Sequence, residues 1–165
     1  KALNEALSKC DIVLISGGSS VGERDHTISA VESIPEAEVL VHGIAIKPGK
    51  PTIIARSGSK MIFGLPGNPF AVLVIFRTII EKYINRFSEK EKFVTALFDT
   101  NYHKAMGRSE FLPVQLEERN DEVYALPLRV KSSSVAVLAK ADGFVIIEKN
   151  KEGLYSGEKI KVYEL

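Results

Sequence analysis

Cysteine is nearly absent from this 165-residue chain, Cys10 being the only one. A single thiol excludes an internal disulfide and a cysteine-built zinc site, and it fits a reducing, cytoplasmic setting. Long apolar runs are missing too. The longest, Phe70 to Phe76, has 7 residues, far short of the roughly 20 that a membrane helix needs, so no membrane partner is expected. No secretory leader is visible and the chain opens with Lys1, from which we expect a portion of a longer protein. Net charge is small as well, formally +1. What is present, 45% hydrophobic and 26% charged residues, is the profile of an ordinary globular protein. It excludes disordered, collagen-like and coiled-coil classes and allows one domain or two small ones.

Acid is missing locally. Between Val39 and Ile80 there is no Asp or Glu, whereas Lys47, Lys50, Arg56, Lys60 and Arg77 are there. A basic window inside a nearly neutral chain suits a small anion. The rest of the sequence carries no matching basic stripe, so no nucleic-acid partner is expected.

Hydrophobic spacing marks residues 2–9 as the end of a helix and 11–16 as a strand buried on both faces. A loop over 17–25 leads to a short helix, 27–34, stopped by Pro35. Segments 52–56 and 60–64 read as strands of a hairpin turning at Ser57-Gly58. Asn68 and Pro69 are a natural N-cap and first residue of a helix reaching about Arg86. Residues 88–92 look like a linker. Beyond it the segments 93–98, 111–117, 122–128, 144–148 and 159–164 are short and strand-like, which predicts a small antiparallel barrel or sandwich. Two units are expected, 1–88 and 89–165.

Eight of the 12 glycines lie between Gly17 and Gly67, most of them in three loops that follow or flank predicted strands. The first loop, SGGSSVGERDHT over residues 16–27, leaves a buried strand and opens a helix. Its backbone N–H groups and hydroxyls can hold an anion, and Asp25 and Thr27 suit Mg²⁺ or a sugar-like hydroxyl. A tight turn with Asp25 or Thr27 as helix cap is the plain alternative. The second loop, IKPGKP over 46–51, projects two ammonium groups from a proline-stiffened frame. It is either an anion site or a solvated loop. The third, FGLPGNP over 63–69, ends a strand and begins a helix. Such loops meet at the carboxyl edge of open α/β sheets, where ligands bind; a helix cap alone is the alternative.

Other candidates are weaker. His26, His42 and His103 have no metal-ligand spacing and read as structural or exposed. Cys10 reads as a small apolar residue before a strand, and Glu117-Glu118 as a solvated strand end. Arg108, Arg129 and Lys131 could extend an anion site from the second unit.

In order and composition the three loops resemble the molybdopterin molybdenumtransferase family (MoeA and the C-terminal region of gephyrin). GRSEF at 107–111, SSS at 132–134 and ADG at 141–143 resemble that family's C-terminal β-barrel domain. The resemblance implies an α/β fold: the C-terminal part of a three-layer, MogA-like molybdopterin-binding domain over 1–88, then a small antiparallel β-barrel over 89–165. It implies insertion of molybdate into adenylylated molybdopterin (molybdopterin-AMP) with release of AMP, helped by a divalent cation such as Mg²⁺. It further implies Asp25 as active-site carboxylate and metal ligand, and Lys47 and Lys50 as the basic groups of the oxyanion and phosphate site. The substrate pocket would be walled by Ser16, Gly17, Gly18, Ser20, Gly22, Thr27, Pro48, Gly49, Pro66, Gly67, Asn68 and Pro69. A homodimer and preceding N-terminal domains are also implied. The sequence departs from the family's usual residues at Ser19, His26, Phe70 and Ala71. Two alternatives stand beside the enzyme: a gephyrin-like scaffold or binding module, and a related pterin- or nucleotide-binding adenylyltransferase domain.

Overall fold

The computed structural model describes residues 2–16, 26–86, 92–128 and 135–165. In chain order they form α1 (Ala2–Lys9), β1 (Ile12–Ser16), α2 (His26–Glu32), β2 (Ala37–His42), β3 (Ile46–Lys47), β4 (Ile53–Ser57) and β5 (Lys60–Leu65). The helical run that follows comprises α3 (Pro69–Ile75), a π-helical turn (Phe76–Ile80) and α4 (Glu81–Ile84). Then come β6 (Phe93–Phe98), β7 (Tyr102–His103), β8 (Ser109–Arg119), β9 (Glu122–Pro127), α5 (Val135–Leu138), β10 (Gly143–Ile147), β11 (Gly153–Leu154) and β12 (Lys159–Glu164). Contacts divide the chain into two compact units, Lys1–Ile44 with Gly49–Ile75, and Ala45–Pro48 with Phe76–Leu165. Among the described residues no helix is long and apolar enough to cross a membrane.

The first unit is built on a four-stranded sheet of order β1-β5-β4-β2. β1 runs parallel to β5, while β5, β4 and β2 pair antiparallel. Because side chains alternate along strands, Val13, Ile62, Ala55 and Val39 line up across one face in register. Leu7 of α1 and Val31 of α2 join that row in one apolar cluster. The predicted β4–β5 hairpin turns at Gly58, whose φ of +58° suits glycine.

Two expectations change here. Among the described residues β1 has a strand neighbour on one side only, and Leu14 is 44% exposed; apolarity alone does not show how many faces are covered. Cys10 is exposed instead of packed, and its carbonyl accepts a hydrogen bond from Lys60 Nζ at 2.9 Å.

The second unit contains a closed ring of five strands, β10-β12-β6-β9-β8, with β8 returning to β10 and β3 added on the outside of β8. Four of the ring's pairings are antiparallel, as expected, and β6–β9 is parallel. The strand pattern alone left a sandwich open; pairing of β8 with both β9 and β10 closes the barrel. Phe98, Val114, Ala125, Ile147 and Val162 belong to its apolar core. In the π turn Arg77 donates to Glu81 Oε1 at 2.8 Å and to the Leu165 carbonyl at 2.6 Å, fixing the end of the chain.

Candidate functional site

β1 and β5 are parallel, and their last residues, Ser16 and Leu65, are register partners. Residues 66–68 therefore leave the sheet at the end where Ser16 finishes β1. β4 enters at that end too, since its first residue Ile53 pairs with Gly64. The loop carrying Lys50 leads directly into β4. Chain direction thus brings Ser16, Lys50 and residues 66–68 to one end of the first unit's sheet, the place where ligands bind in open α/β sheets.

The loop before β4 is held by its own hydrogen bonds. The fully buried Thr52 donates its hydroxyl to the Gly49 carbonyl at 2.7 Å. Ile44 N–H donates to the Lys50 carbonyl at 2.9 Å and Gly43 N–H to the Thr52 carbonyl at 2.8 Å. Gly43 has φ +85°, and a Cβ there would lie 3.3 Å from the Lys50 carbonyl oxygen, so glycine is what lets this loop close up. Lys50 itself is exposed. An exposed ammonium on a fixed backbone is suited to an anion, because little backbone freedom remains to be lost on binding.

Thr27 is buried, 4% exposed. Its methyl group lies where a Cβ at Gly64 would come within 2.9 Å, so the missing side chain of Gly64 lets the start of α2 settle on β5. Asn68 does cap α3: its Oδ1 accepts the Ala71 N–H at 3.0 Å. Pro66 is buried and Gly67 exposed, with nothing within 4 Å of a Cβ placed on Gly67.

The structure therefore brings Ser16, Thr27, Gly49, Lys50, Pro66, Gly67, Asn68 and Pro69 to one sheet end or its immediate continuation. Gly17, Gly18, Ser20, Gly22 and Asp25 lie outside the described residues, as do Arg129, Lys131 and Ser132–Ser134. Lys47 and Pro48 belong to the second unit. There Lys47 Nζ donates to Glu110 Oε1 at 2.9 Å, and Tyr102 Oη donates to the same oxygen at 2.7 Å. The acid-free window around Lys47 is a property of the sequence; in space an acid arrives from β8. Glu110 is not among the sequence-predicted site residues, and its one charge beside the apolar run Phe111-Leu112-Pro113-Val114 is the available signal. Among the described residues no three His, Cys, Asp or Glu side chains gather to hold a metal ion.

Comparison with known proteins agrees with this architecture. Residues 1–86 match the family model described as "Probable molybdopterin binding domain", and residues 95–165 match the MoeA C-terminal region (domain IV). The chain belongs to the family of that molybdopterin binding domain, followed by a MoeA-type C-terminal domain. A Methanocaldococcus jannaschii protein named for molybdopterin biosynthesis is 38% identical over 166 residues, covering 100% of this chain and 39% of the relative. The molybdopterin molybdenumtransferase of Bacillus subtilis is 30% identical over 166 residues, covering 98% of this chain and 38% of the enzyme. The crystal structure of a molybdopterin biosynthesis MoeA protein from Pyrococcus horikoshii superposes with a TM-score of 0.82 at 36% identity, covering 98% of this chain and 39% of that one. The chain thus spans about two fifths of the length of the relatives it matches.

Proposed function

We propose that this chain is the molybdopterin-binding and barrel portion of a molybdopterin molybdenumtransferase, which inserts molybdate into adenylylated molybdopterin and releases AMP. The observation that carries the proposal is an exposed Lys50 on a pinned backbone at the sheet end where β1 and β5 finish, in a chain of the molybdopterin-binding family. Residues 1–88 would supply the pterin and nucleotide pocket and 89–165 the barrel. The match of 95–165 to a MoeA domain speaks for this over an adenylyltransferase that resembles the first unit alone.

Molybdate is an oxyanion and the substrate carries phosphates, so the protein's task is mainly positioning and electrostatic. Lys50 would attract the oxyanion and offset charge that develops on the phosphate, and Lys47 would add to that field. Gly67 offers no side chain to obstruct a ligand, and Pro66 and Pro69 stiffen the wall beside it. Asp25 would hold Mg²⁺ through a carboxylate oxygen, and a bound Mg²⁺ polarises a phosphoanhydride. A homodimer, further N-terminal domains and a cytoplasmic location belong to the same proposal.

The test is Lys47→Ala with Lys50→Ala in the native polypeptide that contains these residues. Molybdate-dependent AMP release should be lost while the circular dichroism spectrum is kept. Unchanged molybdate dependence in a folded double variant would refute the assignment.

A further inference from the structure

Glu110 is 6% exposed and charged. Burying a carboxylate costs several kcal/mol unless donors replace its water. It stands on β8 two residues before Leu112 and four before Val114, so it continues the row that faces the barrel's apolar core. Its Oε1 receives both Lys47 Nζ and Tyr102 Oη.

Both donors are themselves held. Lys47 lies opposite Glu110 in the parallel β3–β8 ladder, and Ser109 N–H donates to the Ala45 carbonyl at 3.0 Å. Tyr102 packs against the barrel core from β7, which pairs with β11. Gly153 of β11 has φ +153°, and a Cβ there would collide with the Tyr102 carbonyl.

Anchoring β3 does not require a buried charge, because backbone bonds already join it to the barrel. The Lys47 side chain remains 57% exposed, and an ammonium has three N–H donors, of which Glu110 takes one. We propose that Glu110 is a positioning residue for Lys47: with Tyr102 it fixes the ammonium at one point, so that its other donors meet an anionic substrate. This rests on the molybdenumtransferase reading above.

The experiment measures AMP release against molybdate concentration, with adenylylated molybdopterin saturating, in the native polypeptide. Glu110→Gln keeps the shape and removes the charge. It should raise the half-saturating molybdate concentration about tenfold, with the larger share of the effect in KM rather than kcat. In a Lys47→Met background the same change should add less than about twofold, because its route runs through Lys47. An unchanged KM in Glu110→Gln, or a full additional effect in the Lys47→Met background, would overturn the proposal. Should Glu110→Gln fail to fold, Tyr102→Phe, which removes one donor to the carboxylate, should raise KM about threefold, and no change there would overturn it as well. A wild-type protein with no response to molybdate would refute the functional reading itself, a result visible without any variant.

Discussion

Replacing Gly64 by Ala tests how α2 is seated on the sheet. Gly64 is in extended strand backbone, so the cost comes from crowding rather than from backbone conformation. A Cβ at that position would lie 2.9 Å from Thr27 Cγ2 and 3.1 Å from Ile53 Cβ. Ile53 is fully buried and Thr27 nearly so, so neither can yield into solvent. Overpacking of this kind costs about 1–3 kcal/mol. Thr27→Ser removes the methyl that would clash. On its own it should cost about 0.8 kcal/mol, the value of one buried methyl or methylene group. In the Gly64→Ala background it should instead recover part of the loss, giving a coupling of about 1 kcal/mol or more. Amide hydrogen exchange of β5 in the native polypeptide reads the stability of this unit by itself. If the two substitutions are additive, Thr27 does not rest on Gly64 and the account of how α2 is positioned fails.

Thr52→Val keeps the shape and removes the hydroxyl bond to Gly49; it should destabilise the first unit by about 1–2 kcal/mol and speed amide exchange at 49–52. Asn68→Ala should cost about 1 kcal/mol through loss of the α3 cap, read by the same exchange measurement. The hydrogen bond from Lys151 at 2.6 Å holds Glu158 below the usual carboxylate value, partly offset by desolvation and aided by the Tyr155 N–H. A lowered value stabilises the fold fully above the ordinary carboxylate range and ceases to do so as pH falls from that range through the lowered value. Glu158→Gln should therefore cost under about 1 kcal/mol at neutral pH, the pair being surface-exposed, and nothing once the wild-type carboxyl is protonated; urea melts at the two pH values check this.

Local signals served the fold well where they were strong. The β4–β5 hairpin, the Asn68-Pro69 helix start and five of the barrel's strands follow from alternation, caps and turn residues close in sequence. β2 has no clean sequence signal, because Leu40 interrupts the alternation of Ala37 to His42, and it pairs with β4 through a register shift between Val39 and Val41. β3, β7 and β11 are two residues each, too short for any periodic signal. The π turn interrupts what periodicity reads as one helix. At the site, the shared sheet end of Ser16, Lys50 and Gly67 is readable from β1, β4 and β5 as strands. The partner of Lys47 is not, because Glu110 is 63 residues away and reaches it only through the β3–β8 ladder.

The proposed molybdopterin site lies at the sheet end where β1 and β5 finish. Amide hydrogen exchange of the native polypeptide, with and without adenylylated molybdopterin, tests it most directly. Ligand protection is expected at residues 49–52 and 64–68, weakened by Lys50→Ala. Protection absent from both segments while the ligand is bound elsewhere on the chain would contradict it.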